Sequence, residues 1–165
     1  MNSRKDLEKL GFEGFVTVEA LLADSGLIPR SCGIYAVLRT DGSAPVFLEQ
    51  GTGGFFKGRN PNVTVETLED KWVDGTDILY IGKAGGGTSS NTLYKRIRQY
   101  LSFGCGKNVG HWGGRYIWQL QGADRLLFAW KETPAGTLPR DEEHQLIGDF
   151  KRSHGGQLPF ANLVE

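Results

Sequence analysis

The sequence predicts an α+β fold, in which helices pack on a mostly antiparallel sheet. Strand-like runs that a short turn could join into a hairpin stand beside helix-like runs, without regular strand–helix alternation. An apolar content of 39% fits a folded globular chain, and 165 residues suffice for one domain with a hydrophobic core. We therefore expect residues 1–165 to form a single domain.

The N-terminal segment, residues 1–30, is predicted to be a helical extension of this domain. Residues 4–10 and 17–24 each have the length and composition of a short helix. Thr17 can cap the second helix, and the Ser-Gly pair at 25–26 can end it.

The first predicted strand, residues 31–42, contains Gly-Ile-Tyr and ends in an Asp-Gly turn. Residues 44–50 are predicted to be its hairpin partner. Residues 51–62 form a glycine-rich loop, and residues 63–73 fit either a strand or a helical turn. Together, residues 41–76 make a long insertion before the next strand.

The next strand-like run, residues 77–83, contains Tyr-Ile-Gly and leads into a loop with three consecutive glycines. The helix predicted after it, residues 91–104, has Asn91 or Thr92 as its cap and Gly104 at its end. Its apolar side chains share one face, which predicts packing on the sheet.

The last third of the chain is predicted to contain two strands and one long helix. Residues 113–120 and 123–133 have the composition of strands. Pro139 stands where proline commonly opens a helix, and the helical pattern continues to residue 154, before two glycines.

The charge of the chain is balanced overall but unevenly distributed. It has 19 basic and 19 acidic residues, yet residues 78–123 contain no Asp or Glu. A cationic segment inside a neutral chain favours contact with a polyanion. The alternative is that folding brings acidic residues from elsewhere against these bases. The bases of this cationic segment are Lys83, Lys95, Arg96, Arg98, Lys107 and Arg115.

Membrane and zinc-site classes are disfavoured by the sequence. It has no apolar run of about 18 residues, which a spanning helix would need, and its start lacks the apolar core of an export leader. Cys32 and Cys105 cannot form a four-cysteine zinc site, and neither stands in a CxxC pair. We expect no membrane partner, reduced thiols and a cytoplasmic location.

Three polar clusters combine tyrosine, lysine and arginine. Tyr35 lies in Gly-Ile-Tyr, which we call the first motif. Tyr80 lies in Tyr-Ile-Gly, the second motif, and Lys83 directly follows it. Arg96 lies in the next predicted helix. Arg96 and Tyr100 are four positions apart, so they share a helical face beside the core. Such an arginine suits a phosphodiester, because its planar fork pairs with two phosphate oxygens and holds charge that develops during attack on phosphorus.

Hydrolysis of a phosphodiester also needs a base and a group that stabilises the leaving oxygen. One Mg²⁺ or Mn²⁺ ion can stabilise that oxygen when one or two carboxylates hold the ion. Glu143 stands at the edge of the buried face of the last helix and is the predicted metal ligand. Glu142 is expected to face solvent.

Five sequence elements occur in a defined order along most of the chain. Gly-Ile-Tyr at 33–35 and Tyr-Ile-Gly at 80–82 precede an arginine early in the next helix. Glu-His-Gln-Leu-Ile at 143–147 and Leu-Pro-Phe-Ala-Asn at 158–162 follow. This order resembles the GIY-YIG nuclease family, and the long insertions resemble its restriction-endonuclease branch.

The resemblance implies a three-stranded antiparallel central sheet flanked by helices, with additional strands from the insertions. It also implies metal-dependent hydrolysis of DNA phosphodiesters, for which we expect one divalent ion, Mg²⁺ or Mn²⁺. Seven residues match catalytic positions of the family. They are Tyr35, Tyr80, Lys83, Arg96, Tyr100, Glu143 and Asn162.

We assign roles to these residues as a hypothesis. Tyr80 is the favoured general base, with Lys83 near it to lower the pKa of its phenol. Tyr35 and Tyr100 orient water and phosphate, while Arg96 clamps the phosphate. Asn162 supports the site through hydrogen bonds.

DNA, duplex or branched, is the expected partner, and symmetric cutting would favour a homodimer. His111 stands in a glycine-flanked loop, where it touches phosphate, assists the base or is an ordinary loop residue. Residues 55–60 form either a lobe in which Lys57 and Arg59 contact DNA or a surface excursion anchored by two phenylalanines. Trp112 could stack on bases. The residues predicted to bind DNA are Lys95, Arg98, Lys107, His111 and Arg115.

Two other functions stay open on the sequence. One is a DNA-binding or protein-docking module on the same fold that does not cleave. The other is a hydrolase of small molecules, which would require a deep apolar pocket. A plasmid-nicking assay with and without a chelator distinguishes cleavage from binding alone.

Overall fold

The computed structural model describes residues 1–164; Glu165, the last residue of the predicted domain, lies outside the described residues. Four strands form one antiparallel sheet in the order β1-β4-β2-β3. The predicted α+β class is confirmed. The strands are β1 (Glu13–Thr17), β2 (Gly33–Leu38), β3 (Ile78–Ala84) and β4 (Leu127–Glu132).

Within residues 1–164, five α-helices pack around the sheet, and four of them begin with a hydroxyl cap from Ser3, Thr17, Thr64 or Thr92. Among residues 1–164, no helix is both long and apolar enough to cross a membrane. The helices are α1 (Arg4–Lys9), α2 (Val18–Ala23), α3 (Val65–Lys71), α4 (Leu93–Gly104) and α5 (Pro139–Ser153). Short 3-10 segments cover Phe56–Gly58, Trp112–Gln119 and Ala123–Arg125.

The sheet has two buried faces that differ in composition. Side chains alternate along β2, so Tyr35 and Val37 belong to one core and Ile34, Ala36 and Leu38 to the other. The first core includes α4 and the 3-10 segment after it, and we call this side the α4 face. The second core includes α1 and α5, and we call it the α5 face.

The N-terminal extension is not purely helical, which corrects the prediction for residues 1–30. Its strand β1 pairs with β4 and makes the sheet four-stranded. A bulge interrupts this pairing beside Gly14, where an added Cβ would lie 2.7 Å from the Trp130 ring. Phe15, the next residue, has a φ of 55°. Because of this bulge, β1 lacks the regular alternation of apolar and polar residues that would have indicated a strand in the sequence.

The insertion at 41–76 adds no strand to the sheet, so the predicted hairpin partner at 44–50 is wrong. Strand β2 is already paired on both sides, by β3 and β4, and has no free edge. Phe47 forms only an isolated bridge with Leu120. The ambiguous residues 63–73 contain helix α3.

Residues 113–120 were predicted to be a strand but lie mostly in a 3-10 segment. All side chains from Tyr116 to Leu120 are buried. A strand covered on one face would expose every second residue, whereas the tight turns of this segment bury successive ones.

Candidate active site

Two tyrosines from neighbouring strands meet on the α4 face. The rings of Tyr35 on β2 and Tyr80 on β3 have centroids 5.9 Å apart. Gly82 lies opposite Tyr35 in the strand pairing. A Cβ at Gly82 would lie 2.7 Å from the Tyr80 ring and 2.9 Å from the Tyr35 hydroxyl. The glycine of the second motif is therefore needed for the two phenols to approach each other.

His111 completes this cluster from the loop after α4. Its Nε2 lies 2.7 Å from the Tyr35 hydroxyl, and its ring stacks on Tyr100 with centroids 3.5 Å apart and an interplanar angle of 4°. Only 1% of its surface is exposed. Burial, followed by the nearby charge of Arg96, lowers the pKa of His111 well below 6.5, so the imidazole is neutral at neutral pH. His111 was predicted to contact DNA, but it is instead buried in this cluster.

Tyr100 supports this histidine and does not present its hydroxyl to a substrate. Its hydroxyl donates a hydrogen bond of 2.6 Å to the carbonyl oxygen of Gly114, and its side chain is fully buried. An added Cβ at Gly114 would lie 2.3 Å from that hydroxyl. Tyr100 was predicted to orient water and phosphate, but its hydroxyl is instead bonded to the backbone inside the core.

Tyr80 is the most accessible tyrosine of the cluster, at 9% exposure against 0% for Tyr35 and Tyr100. Burial raises the pKa of Tyr35 and Tyr100 well above 10.0. Burial also raises the pKa of Tyr80, while Arg96 and a hydrogen bond from Tyr35 oppose this rise. The expected lowering of the Tyr80 pKa by Lys83 is not seen, because Lys83 points to the other face of β3.

Arg96 is held at the border of this cluster. Its Nη1 donates to the Gly110 carbonyl oxygen at 2.9 Å and to Gln99 Oε1 at 3.1 Å. The guanidinium has no carboxylate partner in residues 1–164 and keeps further donors free. Gln99 was missed in the sequence, although its position three residues after Arg96 places it on a neighbouring part of the same helix.

Lys83 and Glu143 form an ion pair on the α5 face, at the edge of the sheet. Lys83 Nζ lies 3.1 Å from Glu143 Oε2, and the Glu143 side chain is 17% exposed. Burial first, and the Glu143 charge to a smaller extent, raise the pKa of Tyr80. Tyr80 and Lys83 belong to the same edge strand, so residues of both faces lie at β3.

An open groove of about 500 Å³ lies at this edge of the sheet. Lys83 and Arg96 line it together with the start of α5 and the glycine-rich loop after β3. Gly86 of this loop approaches Pro139 so closely that a Cβ would lie 2.7 Å from the proline ring. The consecutive glycines therefore allow the loop to pack on α5 and form a wall of the groove.

Glu142, the neighbour of Glu143, is not solvent-facing as predicted. Its Oε2 lies 3.6 Å from Lys131 Nζ, and its side chain is 15% exposed. Lys131 extends from β4, which lies two strands away from the edge strand β3. The two adjacent glutamates thus form similar ion pairs in different places.

The residues at this edge fit a single metal ion held mainly by substrate and water. Residues 1–164 contain no group of three or more His, Cys, Asp or Glu side chains arranged to hold a metal. Glu143 is a partly exposed carboxylate, and Mg²⁺ is often held by one carboxylate together with phosphate oxygens and water. To bind such an ion, Glu143 would have to give up its ion pair with Lys83.

Asn162 holds the edge strand and does not face the groove. Its Oδ1 accepts from the Ile81 N–H at 2.9 Å, and its Nδ2 donates to the Ile81 carbonyl at 2.8 Å. The Ala161 N–H also donates to the Leu79 carbonyl. The C-terminal tail thereby satisfies the free edge beside Tyr80 and fixes the position of that residue.

The bases of the cationic segment remain largely unneutralised. Within residues 1–164, Lys83 is the only one of the six with an ion pair. Lys95 and Lys107 are exposed, and Arg115 packs on Trp112. Arg98 is two positions from Arg96, about 200° round the helix axis, and donates to Ser25 Oγ at 3.1 Å. Arg98 therefore does not converge on the cluster.

Comparisons of this chain with protein-family models, curated proteins and solved structures find no match.

Proposed function

We propose that this protein is a metal-dependent DNA endonuclease that hydrolyses phosphodiester bonds at the edge of β3. The observation that supports the proposal most is the position of Arg96 at the edge of the sheet. Arg96 has no carboxylate partner in residues 1–164 and borders the buried tyrosine–histidine cluster. It also shares the groove with Lys83, which pairs with the partly exposed Glu143. Phosphodiester hydrolysis needs a base, a phosphate clamp and a stabiliser of the leaving group.

Tyr80 is the proposed general base, since it is the most accessible phenol of the cluster. Its phenolate would take a proton from the attacking water. Arg96 favours that phenolate, and so does the Tyr35 hydroxyl. In the tautomer with the proton on Nε2, His111 donates to the Tyr35 oxygen and leaves the Tyr35 O–H free to donate towards Tyr80. Because His111 is neutral, it adds no positive charge that would hold water or phosphate in a position unsuited to the reaction.

Arg96 is the proposed phosphate clamp. Its contacts with Gly110 and Gln99 hold the guanidinium in place before substrate binds, so little reorganisation is needed when charge develops on the phosphate. Lys83 lines the same groove and adds a second cation. A Mg²⁺ or Mn²⁺ ion held by Glu143 would stabilise charge on the leaving oxygen.

The DNA substrate is supported by charge and by shape. Five of the six bases between residues 78 and 123 lack an ion pair among the described residues, and the open groove is lined by Lys83 and Arg96. Both cysteines are free thiols, which fits the reducing cytoplasm. A homodimer would place two such sites on a duplex and belongs to the proposal.

Incubation with supercoiled plasmid DNA tests this function. We expect Mg²⁺-dependent nicking that a chelator abolishes, and an approximately 10²–10³-fold slower reaction for Arg96→Ala. Arg4→Ala, which changes an exposed arginine stacked on Phe15, should cut at the wild-type rate. Metal-independent cutting, or Arg96→Ala cutting as fast as wild type, would contradict the mechanism. Salt-sensitive binding without any cutting would support the non-cleaving module instead.

A further inference from the structure

Two arginines from separate parts of the chain share one indole beside the candidate active site. The guanidinium carbons of Arg59 and Arg115 each lie 4.4 Å from the centroid of the Trp112 ring. Arg59 comes from the insertion, whereas Trp112 directly follows His111 of the tyrosine–histidine cluster. We call Arg59, Trp112 and Arg115 the arginine–tryptophan cluster.

The insertion is docked firmly enough to hold Arg59 in this position. The backbone of Gly54 approaches the Lys107 carbonyl so closely that a Cβ would lie 2.0 Å from its oxygen. The Lys57 N–H donates to Asn108 Oδ1 at 3.0 Å, and the Phe56 ring lies 3.4 Å from the position of a Cβ on Gly110. The insertion and the loop after α4 therefore form one continuous surface.

This surface holds uncompensated positive charge. Lys57, Arg59, Lys107 and Arg115 all lie on it, and no carboxylate within residues 1–164 pairs with any of them. Arg115 Nε is buried without a hydrogen-bond partner, and Nη1 of the same guanidinium donates only to the Trp112 carbonyl. Burial and the charge of Arg59 lower the pKa of Arg115. The unbound cluster is therefore incompletely satisfied.

An anchoring role alone does not account for this arrangement. An apolar side chain could pack on Trp112 without placing one cation against another, whereas stacked guanidiniums keep their edges free to donate hydrogen bonds. Stacking also restricts the arginine side chains before binding, which lowers the entropy that is lost when an anion is captured.

We propose that the arginine–tryptophan cluster is a second phosphate-binding site, which holds the DNA backbone on the insertion side of the scissile phosphate. The inference rests on the proposed function, because it takes DNA to be the substrate. In this arrangement the indole supports arginines and does not stack on bases. The insertion at 41–76 thus supplies one wall of the DNA-binding surface through Arg59.

Binding measured without cleavage tests the cluster. Fluorescence anisotropy with a labelled DNA duplex would be recorded across a salt series, with Glu143→Gln present in every protein to prevent cutting. Adding Arg59→Gln and Arg115→Gln together should weaken binding at least about tenfold and reduce the slope of log K against log salt by about 1.8, or about 0.9 per lost phosphate contact. Arg4→Gln, another arginine over an aromatic ring, should change neither value.

The outcomes separate the cluster from the proposed function. Wild-type affinity and salt slope in the folded double variant would overturn the second phosphate site even if the wild-type enzyme cuts DNA. If the wild-type chain binds DNA through the cluster but does not nick it, only the proposed endonuclease activity is overturned. Absence of DNA binding by the wild-type chain would overturn both.

A folding defect would not obscure the result. Arg59 is exposed, so Arg59→Gln alone should keep the wild-type melting temperature and still reduce the salt slope by about 0.9. Arg59→Lys retains the charge but not the planar fork, and we expect it to restore the slope with only part of the affinity. An unchanged slope in Arg59→Gln would overturn the assignment.

Discussion

The two faces of the sheet use the same strands for different purposes. On the α4 face, three tyrosines and a buried histidine lie close together and bond to one another or to backbone. On the α5 face, β2 contributes only Ile34, Ala36 and Leu38, whose core also contains aliphatic residues and two phenylalanines, Phe12 and Phe150. Polar atoms in a core cost stability unless they are paired, whereas aliphatic packing stabilises directly. Under the proposed function, the α4 face carries the reacting tyrosine and the arginine, while the core of the α5 face serves mainly stability.

The groups of the two faces come together only at the edge of the sheet. Lys83 pairs with Glu143 on the α5 side, yet it lines the same groove as Arg96 from the α4 side. Strand β3 makes this possible because it is the last strand of the sheet. A central strand would separate the two sets of groups.

The largest expected effect is on the α4 face. Tyr80→Phe should slow DNA cleavage about 10²–10⁴-fold, because it removes the proposed base. The unfolding free energy should change by less than about 1 kcal/mol. Because the pKa of Tyr80 is raised above 10.0, the phenolate fraction grows tenfold per pH unit at neutral pH. The logarithm of the wild-type rate should therefore rise with a slope near 1 from about pH 7 to 9, and this slope should vanish in the variant.

On the α5 face, Phe150→Ala should reduce stability strongly and leave cleavage nearly unchanged. Phe150 is fully buried, so truncation should lower the unfolding free energy by about 3–5 kcal/mol. Urea unfolding measures that loss. Cleavage per folded molecule, measured below the unfolding transition, should remain within about twofold of wild type. A comparable fall in the rate of the folded fraction would show that the faces do not divide function from stability.

His111→Gln tests the cost of a buried titratable group on the α4 face. The folded-state pKa is well below 6.5, so below about pH 6.5 the unfolded chain binds a proton that the folded chain does not. Wild type should thus lose about 1–2 kcal/mol more stability than the variant between pH 7 and pH 5. Urea unfolding at both pH values gives the difference. Parallel pH dependence in the two proteins would refute the assignment of His111 as a neutral buried residue.

Much of the fold could be predicted because local patterns determine it. The bounds of α4 and α5 follow from a threonine cap and an opening proline, and β3 from an apolar run. The errors arose where tertiary contacts decide. Residues 44–50 have strand composition, but β2 has no unpaired edge for them. Strand β1 is hidden by its bulge.

The candidate site was predictable in its residue types but not in its contacts. The tyrosines, Arg96 and Glu143 stand in recognisable motifs. The burial of His111 depends on Tyr35, which is 76 positions away in the chain, so no local pattern reveals it. The arginine–tryptophan cluster likewise joins an insertion to a distant loop. Distances of this kind follow only from the packed structure.

The two adjacent glutamates of α5 give the most direct test of the central claim, that the edge of β3 is a metal-dependent nuclease site. Each pairs with a strand lysine, at 3.1 Å for Glu143 and 3.6 Å for Glu142, but only the partner of Glu143, Lys83, lines the groove. Plasmid nicking would be measured for Glu143→Gln and Glu142→Gln over a Mg²⁺ titration. We predict at least about 100-fold slower nicking for Glu143→Gln at every Mg²⁺ concentration and a near wild-type rate for Glu142→Gln. Equal rates for the two variants would contradict the account.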